Sequence, residues 1–278
     1  MPRSDRSVAP IGVYDSGVGG LSVLRALKAQ LPGESFIYVA DSGHAPYGDR
    51  PAAFVEQRSQ DIAAFLDQHG AKALVIACNT ASVVAAQSLR DAYAFPIVAM
   101  EPAIKPATQR SHSKVVLVLA TSTTVRSPAV ARLCSTYGAD TRVILQACPG
   151  LANQVERGHF HDEHTQQLLR AYLQPGLDAG ADTIVLGCTH YAFLAESISQ
   201  AAGSHVAIIE PSAAIANRLS QVLPTPSAAL PAAGTATTFY TSGATQDLAS
   251  FLALIGEPAA QVHALPDPAE PRVLTSPA

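Results

Sequence analysis

Short apolar runs alternate with amphipathic segments along most of the chain. In the first hundred residues, four runs rich in Val, Ile and Tyr are predicted as strands: IGVYD at 11–15, SFIYVAD at 35–41, ALVIAC at 73–78 and PIVAM at 96–100. Three segments between them carry apolar residues at helical spacing, at 21–31, 53–70 and 82–93. Continuously apolar strands that alternate with helices indicate a parallel sheet covered on both faces.

The same alternation starts again in the second half of the chain. Four further strands are predicted, at 114–121, 141–148, 182–188 and 206–211, with helical segments between them. A Pro/Ala-rich loop at 223–236 then precedes a predicted strand at 237–243 and a helix at 244–256. The pattern therefore predicts the α/β class, with two successive α/β halves.

The two halves also resemble each other in sequence. A shift of 110 residues places Gly180 on Gly70, Val185 on Val75 and Cys188 on Cys78. Helix end, turn, strand and following helix are all expected to coincide. An internal repeat of this length indicates two paired domains.

Composition narrows the functional classes. The chain has 278 residues, 48% hydrophobic and 14% charged, which is enough apolar material for a large core and argues against disorder. The net charge is −4 without a Lys/Arg run, so nucleic acid is not expected as a partner. Neither a secretory signal nor a membrane-length apolar run is present, and the expected location is the cytoplasm, with reduced thiols.

Two of the four cysteines end predicted strands in matching settings, LVIACNTAS and IVLGCTHYA. In parallel sheets, ligands bind beyond the carboxyl ends of the strands. Two facing halves would therefore place Cys78 and Cys188 on opposite walls of one cleft. Cys134 and Cys148 are interpreted as structural thiols, and no CxxC pair suggests a zinc or thioredoxin-like motif.

Other strand ends carry polar groups. The run YDSGVGG places Asp15 and Ser16 before glycines that open a helix, where free backbone N–H groups suit a carboxylate. Its spacing does not match the dinucleotide fingerprint, which excludes NAD. The loop HAPYGDR and the run ATSTT offer neutral hydrogen-bonding groups for a small zwitterion. The run HFHDEH at 159–164 is interpreted as a solvated loop or helix start in preference to a metal site.

Six blocks together resemble the glutamate racemases of the cofactor-independent aspartate/glutamate racemase superfamily. They are YDSGVGGLSV, YVAD…APYGDR, CNTAS, MEPAIKPA, GCTHY and FYTSG, in that order over residues 11–258. The resemblance implies two pseudo-symmetric α/β domains with the active site in the cleft between them. The implied boundaries are 11–99 plus 212–264 for the first domain and 100–211 for the second, between a flexible N-terminus (1–10) and tail (265–278).

The resemblance also implies the site residues. The catalytic pair would be Cys78 and Cys188, with Asp15 assisting the first thiol and His190 and Glu156 assisting the second. With the strand-end residues, the predicted substrate-binding set is Asp15, Ser16, Pro46, Tyr47, Gly48, Asn79, Thr80, Thr121, Thr124, Thr189 and His190.

The implied activity is the interconversion of L- and D-glutamate, which supplies D-glutamate for bacterial peptidoglycan. One thiol on each face of the substrate would remove and return the α-proton, Cys78 acting on D-glutamate and Cys188 on L-glutamate. No cofactor, metal ion or membrane is expected to take part. The resemblance implies a homodimer. The alternatives are racemisation of aspartate or a related amino acid, and a non-enzymatic thiol-sensing or metal-binding protein.

Overall fold

The computed structural model describes residues 9–223, 236–257 and 261–267, and its strands form two separate sheets. The strands are β1 Ile11–Asp15, β2 Phe36–Ala40, β3 Ala73–Ile76, β4 Ile97–Ala99, β5 Val115–Ala120, β6 Arg142–Ala147, β7 Thr183–Gly187, β8 Ala207–Ile209, β9 Thr237–Thr241 and β10 Val262–Ala264. The six-stranded sheet has the order β10-β9-β2-β1-β3-β4, and the four-stranded sheet has the order β6-β5-β7-β8. All pairs are parallel, as the sequence predicted.

Helices cover both sheets. They are α1 Leu21–Gln30, α2 Ala52–Gln68, α3 Asn79–Ala92, α4 Ile104–Arg110, α5 Ser122–Val125, α6 Pro128–Tyr137, α7 Leu151–Glu156, α8 Glu163–Asp178, α9 Ala195–Ala202, α10 Ser212–Val222 and α11 Thr245–Leu254. Three 3-10 helices, Ser42–His44, Tyr47–Asp49 and Thr189–Leu194, lie in loops that follow strands. Helix α3 begins three residues earlier than predicted because the Cys78 side chain caps it, accepting from the Ala81 N–H.

The central strand β1 is buried on both faces. Its neighbouring residues Val13 and Tyr14 are 0% exposed and belong to different apolar clusters, one on each side of the sheet. The cluster around Val13 continues to Leu186 and Tyr191 in the second half. The two halves therefore share one apolar core, and helix α10 packs against α1.

The internal repeat is visible up to the two cysteines and then breaks. Gly70 and Gly180 follow helices α2 and α8 with positive φ angles of 76° and 86°, a conformation that glycine adopts without steric cost. After Cys78 helix α3 begins at once, whereas Cys188 is followed by the 3-10 helix and only then by α9. The prediction that the following helices coincide is wrong. Cys188 makes no side-chain cap, so its sulfur stays available to other partners.

The end of the chain also differs from expectation. The short strand β10, Val262–Ala264, pairs with β9 and was not predicted from the sequence. The boundaries predicted at 99 and 212 stay predictions, and the expectations for 1–10, 223–236 and 265–278 fall largely outside the described residues. Within the described ranges, no helix has the length and apolarity needed to cross a membrane.

Candidate active site

The ends of strands β1, β3 and β7 meet at one small cavity between the halves. Its walls are Ser16, Pro46, Tyr47, Gly48, Cys78, Asn79, Thr80, Thr121, Ala152, Cys188 and His190. The cavity volume is about 10 Å³, roughly the room of one water molecule and less than an amino acid occupies. A larger cavity of about 580 Å³ beside β4, α4 and α10 contains none of the predicted site residues.

Cys78 is a buried thiol held within the first half. Its sulfur lies 3.6 Å from the Ser16 hydroxyl oxygen, to which the thiol donates, and 3.5 Å from the Ala81 N–H, from which it accepts. Burial and the negative charge of Asp15 raise the pKa of Cys78 to about 12. The thiol is therefore protonated at neutral pH and requires a base before it can remove a proton.

Asp15 ends strand β1, and its negative charge acts on the Cys78 thiol. It is fully buried, and its carboxylate accepts from the Gly17 N–H at 2.8 Å and from the Thr189 hydroxyl at 3.0 Å. Burial raises the pKa of Asp15, although His190 and these hydrogen bonds oppose the shift. A carboxyl group with a raised pKa is better matched to proton transfer than an ordinary carboxylate.

The second thiol belongs to a chain of three groups. The Cys188 sulfur lies 3.7 Å from His190 Nδ1, and His190 Nε2 lies 2.6 Å from Glu156 Oε1. The tight turn after β7 folds the imidazole back onto the sulfur, and α7 brings in Glu156 at its last residue. Burial alone would lower the pKa of His190, but Cys188 and Glu156 together raise it well above its usual value. The imidazole is thus placed to hold a proton between thiol and carboxylate.

Hydroxyl and amide groups complete the cavity. Thr80 of the first half lies 2.9 Å from Thr121 and 3.4 Å from Thr124 of the second half, measured between hydroxyl oxygens. The buried amide nitrogen and oxygen of Asn79 have no hydrogen-bond partner among the described residues. Such groups can bind the polar ends of a ligand, since an unsatisfied buried amide costs roughly 1–3 kcal/mol.

Tyr47 lines the cavity, and its hydroxyl is bound within the protein. It donates to Asp41 Oδ2 at 2.5 Å, and Asp41 also accepts two hydrogen bonds from the Arg58 guanidinium, at 2.8 and 3.0 Å. Asp41 and Arg58 were missed by sequence reasoning, although Asp41 ends a strand in YVAD much as Asp15 does in YD. Together they fix the loop that carries Pro46 and Gly48.

The remaining candidates of the sequence analysis lie outside this constellation. Cys134 is half-buried on α6, and Cys148 is buried after β6, where its thiol donates to the Gln146 carbonyl. In HFHDEH, Asp162 caps helix α8 by accepting from the Thr165 N–H at 2.7 Å. Over the residues the structure describes, no group of three His, Cys, Asp or Glu side chains could hold a metal.

Comparisons of sequence and of structure both find racemases as relatives of this chain. The model of the family Asp/Glu/Hydantoin racemase matches residues 11–219. The glutamate racemase of Ralstonia nicotianae is 50% identical over 218 residues, covering 78% of this chain and 79% of that protein. Escherichia coli glutamate racemase, solved with L-glutamate and the activator UDP-MurNAc-ala, has a TM-score of 0.80 at 29% identity, covering 92% of this chain and 97% of that one. Francisella tularensis glutamate racemase, solved with D-glutamate, has a TM-score of 0.77 at 27% identity, covering 92% and 97%.

Proposed function

Since the chain belongs to the Asp/Glu/hydantoin racemase family and is an isomerase, we propose that it interconverts L- and D-glutamate with Cys78 and Cys188 as two opposed bases. One observation carries the proposal: thiols from different halves line one cavity, and each has its own acid–base group. The relatives solved with L-glutamate and with D-glutamate support the choice of substrate.

The chemistry needs one base on each face of the substrate. A thiolate takes the α-proton and becomes a thiol, and the electron pair left on Cα is delocalised into the neighbouring carboxyl group. The opposite thiol then donates its proton to the other face of Cα and becomes the thiolate. Reversal of the roles, or proton exchange with solvent, restores the starting state.

Each thiol requires a group that receives its proton, because a free thiol with a pKa of about 8.5 is mostly protonated at neutral pH. Asp15 serves Cys78, and His190 backed by Glu156 serves Cys188. In the direction that the resemblance implies, Cys188 takes the proton from L-glutamate and Cys78 takes it from D-glutamate. The hydroxyls of Thr80 and Thr121 and the Asn79 amide bind the polar ends of the substrate.

The thiol replacements test the mechanism. Cys78→Ser and Cys188→Ser should each abolish racemisation in both directions, because a hydroxyl is far too weakly acidic to act as the base. Cys134→Ser is the matched control, because it replaces a half-buried thiol on α6 and should keep wild-type activity. In deuterated water the newly formed enantiomer should carry solvent deuterium. Near-normal racemisation by both site variants would show that the two-base mechanism is wrong.

Substrate choice is tested by assaying both enantiomers of glutamate and aspartate. We expect glutamate to be turned over faster, and faster turnover of aspartate would favour the aspartate racemase alternative. The rival thiol-sensing or metal-binding function requires a disulfide or a metal joining Cys78 and Cys188. Thiol titration and elemental analysis of the purified protein separate it from the racemase.

The biological role and assembly are further parts of the proposal. The product D-glutamate would supply peptidoglycan synthesis in the cytoplasm, so a strain depleted of the enzyme should depend on added D-glutamate. The protein would form a homodimer, as the family resemblance implies. Light scattering that shows only monomers at working concentration would contradict the dimer.

A further inference from the structure

Glu156, which contacts the imidazole proposed to serve Cys188, accepts a hydrogen bond from the backbone of the first half. The Val18 N–H, in the glycine run before α1, donates to Glu156 Oε1 at 2.9 Å. The same carboxylate oxygen lies 2.6 Å from His190 Nε2. Glu156 therefore bridges the first half of the molecule to the imidazole of the second. A carboxylate at the N-terminus of a ten-residue helix is also favoured by the helix dipole.

Because Gly17 has no side chain, the Glu156 carboxylate can occupy the space beside it. A Cβ atom on Gly17 would overlap the Glu156 carboxylate, and one on Gly19 would overlap the His190 imidazole. The loop cannot withdraw easily, because Gly17 is held on both sides. Its N–H donates to Asp15 at 2.8 Å, and its carbonyl accepts from the buried Tyr38 hydroxyl at 2.8 Å.

We propose that the Val18 amide and the missing side chain of Gly17 position Glu156 on His190, and that this positioning sets the proton affinity of the imidazole that serves Cys188. The inference rests on the proposed two-base function. Val18 and Val155, the neighbour of Glu156, both belong to the apolar core that the halves share, so the packing of the halves brings the amide and the carboxylate together.

The positioning of Glu156 concerns the surroundings of Cys188. The hydrogen bonds of Cys78 go to Ser16 and Ala81 of its own half, whereas Cys188 depends on a group that Val18 holds across the cleft.

Gly17→Ala tests the inference, with Gly33→Ala as the matched control. The added methyl of Gly17→Ala displaces only the end of the flexible Glu156 side chain, so the fold should be kept, whereas a Cβ on Gly33 meets nothing within 4 Å. We expect the racemisation kcat of Gly17→Ala to fall by roughly 10-fold or more, in line with the loss of acid–base assistance. Gly33→Ala should retain the wild-type kcat.

A nuclear magnetic resonance titration of the His190 imidazole gives a second measurement that a purely structural role would not change. The signal is assigned by its absence in His190→Gln, and the titration is run with and without equilibrated L- and D-glutamate. Displacing Glu156 removes one of the two groups that raise the pKa of His190. In Gly17→Ala the pKa of His190 should therefore fall.

A double-variant cycle shows whether Gly17 acts through Glu156. Glu156→Gln should lower kcat by itself, and adding Gly17→Ala should cause little further loss, because both changes remove the same positioned carboxylate. Losses that multiply would overturn the inference. A wild-type kcat in Gly17→Ala would also overturn it, while leaving the proposed function intact if the wild-type enzyme racemises glutamate.

Glu156→Asp is the second variant if Gly17→Ala does not fold. Its shorter carboxylate keeps the charge but cannot reach both Val18 and His190, so the His190 pKa and kcat should both fall. Wild-type values for both would contradict the inference. Because the titration needs no turnover, it remains readable even if glutamate proves not to be the substrate.

Discussion

The Thr189 hydroxyl donates a hydrogen bond to the Asp15 carboxylate across the cleft, with 3.0 Å between the oxygens. Thr189 follows Cys188 of the second half, whereas Asp15 is the group proposed to assist Cys78 of the first half. Each half therefore contributes a group to the surroundings of the opposite thiol. The hydrogen bond from Val18 to Glu156 is a second contact of this kind. Through these two hydrogen bonds, the proposed acid–base chemistry depends on how the two halves pack together.

Thr189→Val should shift the pH dependence of the reaction. The substitution keeps the shape but removes a hydrogen bond to the charged form of Asp15, whose pKa burial already raises. The Asp15 pKa should rise further, so the acidic limb of the kcat profile should move to higher pH. Thr183→Val is the control, because that hydroxyl binds Asp182 at the start of β7. An unmoved acidic limb would show that Thr189 does not act through Asp15.

Asp15→Asn should make Cys78 easier to ionise and yet lower the activity. The pKa of Cys78, about 12, is raised first by burial and then by the Asp15 charge, so a neutral amide should lower it. The amide cannot accept the thiol proton, however, and kcat should fall by roughly 100-fold or more. The thiolate is followed by its ultraviolet absorbance, with Asp15→Asn/Cys78→Ser as the reference. Wild-type kcat in Asp15→Asn would remove Asp15 from the mechanism.

Asn79→Leu should stabilise the fold and weaken substrate binding. The Asn79 amide is buried and has no partner in the described part of the chain, so an apolar side chain of similar size should raise the free energy of unfolding by about 1 kcal/mol. The same change should raise KM for glutamate roughly tenfold, because one polar contact to the substrate is lost. Urea denaturation and initial rates measure the two effects. Asn217→Leu, at an exposed position of α10, controls for the substitution in a helix, and an unchanged KM in Asn79→Leu would refute the binding role.

Asp41→Asn should destabilise the protein and loosen the loop around Tyr47. Burial alone would raise the pKa of Asp41, but hydrogen bonds from Arg58, Ser242 and Tyr47 hold it below its usual value. Removing the charge leaves a largely buried guanidinium without its main partner, at a cost of about 3 kcal/mol. KM for glutamate should rise as well, because Pro46 and Gly48 line the cavity.

The pH dependence of that destabilisation has a definite sign. The folded pKa of Asp41 is depressed, so its stabilisation is present above the unfolded value of about 3.9 and is lost as the pH falls through the lower folded value. The stability difference between wild type and Asp41→Asn should therefore shrink in acid. Asp61→Asn is the control, because its contact with Arg58 is partly exposed and 3.5 Å long. A pH-independent difference would contradict the role of the Asp41 charge.

Several parts of the site could be predicted from local sequence. Cys78 and Cys188 stand where continuous apolar runs stop, and the carboxyl ends of parallel strands are where ligands bind. The glycine run was also recognised as a place where backbone N–H groups meet a carboxylate. Which carboxylate was not predictable, because Val18 and Glu156 are separated by 138 positions along the chain.

The network around Asp41 shows the same limit. Its partners Arg58 and Tyr47 lie on α2 and in a loop, and no periodic pattern connects them. Hydrophobic periodicity describes one element at a time, whereas these contacts depend on how elements from distant parts of the chain are placed. The substrate-binding role of Tyr47 stays a prediction, whereas the bond from its hydroxyl to Asp41 had no signal in the sequence.

By itself, the sequence determined the two parallel α/β halves, their repeat and the two thiols at matching strand ends, because apolar runs and helical periodicity encode which faces are buried. The tertiary structure decided which groups meet between the halves, with the Val18 N–H on Glu156 and the Thr189 hydroxyl on Asp15. It did so because hydrogen bonds act over only about 3 Å and require a set direction. Such distances are fixed by the packing of α1, α7 and the loop after β7 on one shared core, which no local pattern specifies.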